Sequence, residues 1–195
     1  ALDALDQRRS RKEAEEKLHL ASRVFENNAE GIVVTDAANR VLMVNRAFTE
    51  VTGYSAEEVI GKDPKMLSSG RHDAGVYADL WRKLRQRGEW RGEIINRRKN
   101  GEYYPEFLNI SMVRNDAGDV VNYVAVFTDL TARKKVEERL EFLANYDPLT
   151  ALPNRVLFFD RLGRALVQAK RARQKVALFF LDLDRYKLIN ETVGH

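Results

Sequence analysis

The alternation of hydrophobic and polar positions changes twice along the chain, which separates a helical beginning, a strand-rich middle and a helical end. Residues 2–25 carry small or apolar side chains at spacings of four, three and four, at Ala14, Leu18, Ala21 and Phe25. This spacing is typical of one long helix with a coiled-coil seam. Because the seam is short, we expect the association that it drives to be weak by itself.

The middle of the chain has the period of β-strands. The letters GIVVTD and RVLMVN flank the turn residues AAN and predict a first hairpin. Three longer strand patterns follow further along: EWRGEIINRR, EYYPEFLNISMVR and VVNYVAVFTDL. Asn100-Gly101 predicts a two-residue hairpin turn between the first two of these strands, and NDAGD predicts the turn between the last two.

Helical patterns fill the stretch between the first hairpin and these three strands. Short pieces are interrupted by glycine and proline, and a firmer helix is predicted to begin at the N-cap Asp73 and to end at Gly88. The apolar face of that helix consists of Tyr77, Leu80, Trp81 and Leu84. The order of elements predicts an α+β fold, in which helices cover one face of a five-stranded antiparallel sheet.

After the fifth strand the pattern becomes helical again. Val136, Leu140 and Leu143 form the apolar stripe of a helix over residues 131–146, and a second amphipathic helix is predicted near residues 156–171. The letters VALFFLDLD then form a run that is apolar on both faces, as in a strand buried in an α/β sheet. The end of the chain is therefore predicted to be a linker helix followed by the first part of an α/β domain.

Composition limits the class of protein. The 195 residues are 44% hydrophobic and 32% charged, which suits one globular domain with additional elements. The absence of cysteine excludes disulfides, thiolate metal sites and cysteinyl-flavin photochemistry, and it favours a cytoplasmic location. No run of about 18 apolar residues predicts a membrane segment, although a longer parent protein could carry a membrane anchor upstream.

The net charge of +4 has to be weighed against its distribution. Basic residues alternate with acidic ones in helical stretches such as RRSRKEAEEK and TARKKVEERLE, rather than forming one uninterrupted patch. Mixed-sign helices of this kind are typical of solvated surfaces. We therefore predict no nucleic-acid partner.

Two acidic residues near the end of the chain could bind a metal. Asp182 and Asp184 follow the last apolar run and lie on one face by the period of a strand, at the strand end where ligands bind in α/β sheets. Both carboxylates could reach a hard cation such as Mg²⁺. The alternative, which we favour for Asp184, is a surface or capping carboxylate.

Two known families share these motifs. The block from Glu26 to Thr131 contains NNAEGIVVTDAANRVLMVNRAFTEVTGYSAEEVIGK, GEWRGEIINRRKNGEYYPE and the closing letters DLT, and it resembles a PAS sensory domain. The segments YDPLTALPNRVLFFDRL and FFLDLDRYKLINETVGH resemble the opening of a GGDEF domain, the diguanylate cyclase module, and cover about its first third. The resemblance implies an N-terminal signalling helix (1–25), a PAS domain (26–130), a linker helix (131–146) and a GGDEF fragment (147–195).

The GGDEF resemblance implies a nucleotide and metal site. Asp182 and the Leu183 carbonyl take the metal-binding positions, Lys187 contacts the triphosphate and Asn190 contacts guanine, with Mg²⁺ and GTP as the cofactor and substrate of the complete domain. Such a domain joins two GTP molecules into cyclic di-GMP. The chain contains no GGDEF signature loop, so we expect no catalytic residue and no cyclase activity in this fragment. A degenerate GTP-binding domain that regulates a downstream EAL phosphodiesterase is the alternative.

The PAS resemblance implies a ligand pocket, and its occupant stays open. Trp90, Ile94, Asn96, Phe107 and Ile110 are the predicted pocket residues, with Asn96 facing the ring if FAD binds, as in redox-sensing PAS domains. If the pocket is empty, the apolar members of this set form ordinary core.

Two other cofactor classes match poorly. Pro64, Glu106 and Phe127 stand where the LOV photoreceptors have the reactive cysteine and flavin-holding amides, so photochemistry is not expected. Haem is unlikely because His72 is the only histidine among the sensor helices and lies among polar letters, which predicts a solvent-exposed side chain.

The same resemblance implies a route for the signal. Asp129 and Thr131 in the closing DLT join the last strand to the linker helix, where Thr131 could cap the helix and Asp129 could bond back to the domain. We expect a homodimer through the flanking helices, with a sensed signal changing how two cyclase domains approach each other. A histidine kinase output is not expected, because the helix after Thr131 carries no histidine.

Overall fold

The computed structural model describes residues 2–182 and residue 184. The chain divides into two compact units, with the boundary between Lys135 and Val136. No helix in the described part of the chain is both long and apolar enough to cross a membrane.

The first unit contains one long helix, a five-stranded sheet and the helices that cover the sheet. The order of elements is the one that the sequence predicts. The elements, in chain order, are α1 (Leu2–Glu26), β1 (Gly31–Asp36), β2 (Val41–Val44), α2 (Arg46–Thr52), α3 (Ala56–Val59), a 3-10 turn (Pro64–Leu67), α4 (Ala74–Arg87), β3 (Glu89–Arg97), β4 (Tyr103–Arg114), β5 (Val120–Asp129) and the start of α5 (Thr131–Asn145).

All neighbouring strands of the sheet are antiparallel, in the order β2-β1-β5-β4-β3. The α+β fold class predicted from the alternating pattern is confirmed. The first strand, β1, and the last strand, β5, are neighbours in the sheet. Because β5 is the central strand, α5, which follows it, begins next to the middle of the sheet.

Three hairpin loops share one geometry. In each loop of five residues, the first residue's N–H donates to the last residue's carbonyl, at 2.9 Å from Asp36 to Arg40, 2.9 Å from Arg98 to Glu102 and 3.0 Å from Asn115 to Asp119. The fourth residue takes the left-handed conformation, with φ of 60° at Asn39, 90° at Gly101 and 87° at Gly118. The predicted two-residue turn at Asn100-Gly101 is therefore wrong in length, because only Gly101 has positive φ.

One face of the sheet forms the core. The alternation of β-strands turns the even-numbered residues of β3 and β4 and the odd-numbered residues of β1 and β5 toward α2, α3 and α4. Phe48 of α2 meets Phe127 of β5 edge to face, with ring centroids 6.1 Å apart. The buried apolar cluster consists of Val33, Val41, Val44, Phe48, Val59, Leu67, Ile94, Leu108 and Phe127.

The second unit contains the end of α5 and the amphipathic helix α6 (Arg155–Ala172), which begins at the N-cap Asn154. The predicted strand after α6 is absent from the described residues 174–182, which have no regular structure. Phe179 and Phe180 are 84% and 87% exposed there. A strand needs a neighbour to satisfy its backbone groups, and no described strand pairs with this segment.

Candidate functional site

The start of α5 is held to the sheet by an arginine that the sequence analysis did not single out. Arg98, in the β3–β4 loop, places Nη2 2.6 Å from Oδ2 of Asp129 and 3.4 Å from Oγ1 of Thr131. The other carboxylate oxygen of Asp129 accepts the Thr131 N–H at 2.8 Å. The Leu130 N–H donates to the Pro105 carbonyl at 2.9 Å. We call Arg98, Asp129 and Thr131 the α5 clamp.

The α5 clamp is shielded from water. The side chains of Arg98 and Asp129 are 15% and 23% exposed, so their ion pair is screened less than a surface pair. Arg98 also donates to the Val51 carbonyl of α2. Burial by itself would raise the pKa of Asp129, but hydrogen bonds from Thr131 and Arg98 outweigh burial and hold that pKa below its usual value. The carboxylate is therefore ionised at the helix N-terminus, where negative charge is favourable.

Asp129 bonds back to the domain as predicted, through Arg98, whereas Thr131 does not cap α5 as predicted. Asp129 accepts hydrogen bonds from both Arg98 and the first amide of α5, whereas Thr131 was expected to be the cap. The alternation of β3 is a signal that could have identified Arg98. Ile94 and Asn96 face inward, and Arg98 is the next even-numbered residue. A charged residue in a predicted hairpin loop gives the opposite signal, which is solvent exposure.

Next to the α5 clamp, three polar side chains are buried in the core. Asn96, Tyr104 and Glu106 are 6%, 0% and 2% exposed. The Asn96 amide donates to Glu106 Oε1 at 2.9 Å, while Glu106 Oε2 and the Tyr104 hydroxyl have no hydrogen-bond partner. Burial raises the pKa of Glu106 to about 7 and also raises the pKa of Tyr104. We call these three residues the core polar cluster.

The core polar cluster touches the α5 clamp through a ring and through the sheet register. The Arg98 guanidinium carbon lies 4.2 Å from the centre of the Tyr104 ring. Glu106 and Asp129 are paired in register on β4 and β5, so both carboxyl groups belong to the inner face of the sheet. Two acidic side chains directly opposite each other repel when both are ionised.

The residues predicted to line a ligand pocket do not all lie on one face. Ile94 is buried in the core, Trp90 and Ile110 pack against it, and Asn96 bonds to Glu106. The prediction for Phe107 is wrong: it lies on the opposite face of the sheet and is 42% exposed. Its neighbours on β4, at positions 106 and 108, are the ones that turn inward.

Two aromatic rings fill space on the inner face that glycines leave open. A Cβ atom at Gly31 would lie 2.2 Å from the Phe127 ring, and one at Gly92 would lie 2.9 Å from the Trp90 ring. The rings therefore pack directly on backbone. Phe127 was noted from sequence only as a departure from the LOV pattern, and the structure places it in the centre of the core.

The segment before α4 covers the free edge of β3. Ser68 forms an antiparallel bridge with Asn96, and the Ile95 N–H donates to His72 Nε2 at 2.6 Å. The predicted exposed His72 is half-buried instead, because its ring nitrogen satisfies a backbone group of the edge strand. That hydrogen bond occupies Nε2, so the nitrogen is not free to bind haem iron.

Several predicted GGDEF residues lie outside the described part of the chain. These are Leu183, Lys187 and Asn190. Asp182 and Asp184 are exposed, and no group of three or more histidine, aspartate or glutamate side chains suited to a metal occurs in the described residues.

The loop between α5 and α6 is tightly bonded. Asp147 accepts hydrogen bonds from the N–H of Thr150 at 2.9 Å, from its hydroxyl at 2.8 Å and from the Leu149 N–H. The bonds from Thr150 and Leu149 lower the pKa of Asp147. Asn154 donates to the Ala144 carbonyl of α5 at 2.9 Å and accepts the Leu157 N–H of α6. One asparagine thus bonds to the end of one helix and the start of the next.

Comparison with protein families gives two matches. Residues 29–132 match the family described as PAS domain, and residues 144–195 match the family described as diguanylate cyclase, GGDEF domain. The first match contains the sheet, the core polar cluster and the α5 clamp. The second begins in the last residues of α5.

Similar proteins occur in bacteria. The nitrogen fixation regulatory protein of Klebsiella oxytoca is 33% identical over 117 residues, which are 60% of this chain and 24% of that protein. The probable diguanylate cyclase DgcE of Escherichia coli K12 is 26% identical over 182 residues, 92% of this chain and 16% of that protein. The chain thus spans about a quarter or less of these relatives.

A solved structure has the same fold. The PAS domain of a protein from Colwellia psychrerythraea superposes with a TM-score of 0.56 at 23% identity and covers 60% of this chain and 98% of that one.

Proposed function

This chain belongs to the PAS domain family, and we propose that it is the sensory and dimerisation part of a bacterial cyclic di-GMP signalling protein. In this proposal, the PAS domain receives the signal, α5 transmits it, and the GGDEF sequence that begins at residue 144 belongs to the output domain. The complete output domain would bind Mg²⁺ and GTP. Asp182, Leu183, Lys187 and Asn190 are the residues that we propose for that site.

The α5 clamp is the observation that best supports this proposal. Arg98 and Asp129 join the β3–β4 loop to the first turn of α5, and the same helix continues to Asn145, inside the GGDEF match. A change in the PAS core that moved Arg98 would therefore act on the start of a helix that leads to the output domain. This coupling is consistent with an active cyclase and with a degenerate GTP-binding domain that regulates a downstream phosphodiesterase.

The α5 clamp gives the first prediction. Asp129→Asn removes the ion pair with Arg98 and weakens the bond to the Thr131 N–H. A partly buried, charge-assisted hydrogen bond contributes about 1.5–3 kcal/mol. We therefore expect the amides in the first turn of α5 to exchange about tenfold faster or more in hydrogen exchange.

A second tether of α5 provides the matched control. Lys134 of α5 forms an ion pair with Glu93 of β3 at 2.7 Å, but these side chains are 43% and 55% exposed. Exposed pairs contribute about 0–1 kcal/mol, so Glu93→Gln should leave the exchange of α5 nearly unchanged. Equal effects of Asp129→Asn and Glu93→Gln would contradict the proposed role of the clamp. In a longer protein with the whole GGDEF domain, only Asp129→Asn should change the response of the output.

We also propose that the chain forms a homodimer through its flanking helices. Apolar side chains are exposed on α1, with Leu18 at 73% and, one turn apart, Leu20 at 63% and Val24 at 61%, and on α5, with Val136 at 58% and Leu140 at 61%. Apolar stripes of this extent on solvated helices are typical of helix association. A second copy of the chain offers the same stripes.

Leu140→Glu should weaken the proposed dimer, because it places a charge within the apolar stripe. We expect sedimentation at tens of micromolar to show dimers for the wild type and monomers for Leu140→Glu. Lys135→Glu adds the same side chain on the polar face of α5 and should remain dimeric. Monomers in the wild type would refute the proposal, and dimers of Leu140→Glu would exclude this stripe as the interface.

FAD is the second ligand class that we consider for the PAS core. Asn96 and Trp90 lie on the inner face, as the resemblance to redox-sensing PAS domains implies. A flavin ring would have to displace the Phe127 ring or the bond from Asn96 to Glu106. Yellow purified protein with a structured absorption band, lost in Asn96→Ala, would support a bound flavin.

A further inference from the structure

The core of the PAS domain contains a carboxyl group, that of Glu106, whose surroundings differ from those of the surface carboxylates. Glu106 is 2% exposed, receives one hydrogen bond from Asn96 and leaves Oε2 without a partner. The Tyr104 hydroxyl, also fully buried, has no partner either. A buried carboxylate needs several donors or a cation to remain ionised, whereas a protonated carboxyl needs fewer. The geometry of this site therefore suits the neutral form of Glu106.

We propose that the Glu106 carboxyl is a proton-controlled switch that acts on the α5 clamp. When Glu106 loses its proton, a negative charge appears on the inner face opposite Asp129 in the sheet register. The two carboxylates then compete for the same cation, Arg98. Partial withdrawal of Arg98 from Asp129 loosens the first turn of α5.

The groups around Glu106 make this competition specific. Asn96 on β3 donates to Glu106, Tyr104 lies on the same face of β4, and Asp129 lies opposite on β5. Arg98 stands over the Tyr104 ring with its guanidinium carbon 4.2 Å from the ring centre. It bonds to Asp129, and its charge also acts on Glu106. On the helix side, Tyr54 packs against the core and lies near the exposed ion pair of Lys99 and Glu58.

The electrostatics favour a switch near neutral pH. Burial raises the pKa of Glu106 to about 7, the neighbouring Tyr104 hydroxyl and the Asn96 amide oppose this rise, and the charge of Asp129 adds to it. The group therefore changes its charge near neutral pH. A ligand or a structural change that brought a further donor to Oε2 would favour ionisation in the same way.

The experiment follows the Glu106 proton and the α5 helix together in the whole chain. Carbon-13 NMR of labelled glutamate side chains should show one carboxyl that titrates near pH 7, and its signal should be absent in Glu106→Gln. Over the same pH range, hydrogen exchange of the amides in the first turn of α5 is measured in the wild type and corrected for the intrinsic pH dependence of exchange. The protection of these amides should fall about tenfold or more, because this is the effect of losing one charge-assisted hydrogen bond. In Glu106→Gln, which stays neutral, the protection should not change with pH.

Glu89→Gln is the matched control, because Glu89 is an exposed glutamate at the start of β3. It should leave the pH dependence of α5 as in the wild type. A wild-type chain in which no glutamate carboxyl titrates near pH 7 would overturn the proposal. So would α5 protection that does not follow the Glu106 titration. Both outcomes are read on the wild type and remain decisive even if Glu106→Gln does not fold.

This inference rests on the proposed function of the α5 clamp, and the two can fail separately. If Asp129→Asn leaves the hydrogen exchange of α5 unchanged, the proposed role of the α5 clamp is wrong. If Asp129→Asn loosens α5 but ionisation of Glu106 does not, the clamp stands and the switch is wrong.

Discussion

Replacing Phe127 with alanine is expected to destabilise the PAS domain by about 3–5 kcal/mol, the range for removing a buried aromatic ring. The ring is 3% exposed, meets Phe48 edge to face and lies directly on the backbone of Gly31. Because Gly31 has no side chain, no neighbouring group there can move in to fill the cavity that the Phe127 ring would leave. Urea or thermal unfolding of the purified chain would measure the loss.

Phe107→Ala is the matched control for this experiment. Phe107 lies on the strand next to Phe127, but it is on the outer face of the sheet and is 42% exposed. We expect a loss of about 1 kcal/mol, because the substitution removes less buried area than Phe127→Ala and leaves no closed cavity. Similar losses for the two variants would mean that the inner and outer faces are assigned wrongly. Ligand binding in the core, if present, should respond to Phe127→Ala and not to Phe107→Ala.

The sequence predicted the elements of this fold well because their signals are local. The period of two in the strands and the run from Asp73 to Gly88 in α4 each depend on residues close in the chain. The five-stranded antiparallel sheet follows from the order of these elements. The predicted two-residue turn at Asn100-Gly101 is wrong because the Asn-Gly signal is local and does not contain the register of the two strands. That register places Arg97 opposite Tyr103 and leaves five residues for the loop.

The site was less predictable because it depends on contacts that are distant in the chain. Asp129 and Thr131 were recognised from the closing motif, but Arg98 lies 31 residues before Asp129. Phe107 was predicted to line the pocket as an apolar residue of its strand, but the register pairs Ile94 with Glu106 and Asn96 with Tyr104, so the even-numbered residues of β4 turn inward and Phe107 does not. Glu106 was noted only as a departure from the LOV pattern, because a buried carboxyl contradicts the usual preference of glutamate for the surface.

The buried Glu106 should also make the stability of the chain depend on pH in the direction opposite to that of Asp129. The folded-state pKa of Glu106 is raised from 4.5 to about 7, so the folded state binds more protons than the unfolded state between these values. The stability that this protonated group contributes is present in full below pH 4.5 and is lost as the pH rises to about 7. The lowered pKa of Asp129 contributes stability that is lost at acid pH instead.

The expected effect of Glu106 is large for a single side chain. A rise in pKa from 4.5 to about 7 corresponds to about 3 kcal/mol between the two protonation states. We therefore expect the free energy of unfolding of the wild type to fall by up to about 3 kcal/mol from pH 5 to pH 8. Glu106→Gln should remove most of this fall and be the more stable protein at pH 8, whereas the exposed Glu89→Gln should follow the wild type. Parallel pH profiles for wild type and Glu106→Gln in urea unfolding would show that the pKa of Glu106 is not raised in the folded state and that the carboxylate is ionised in the core at neutral pH.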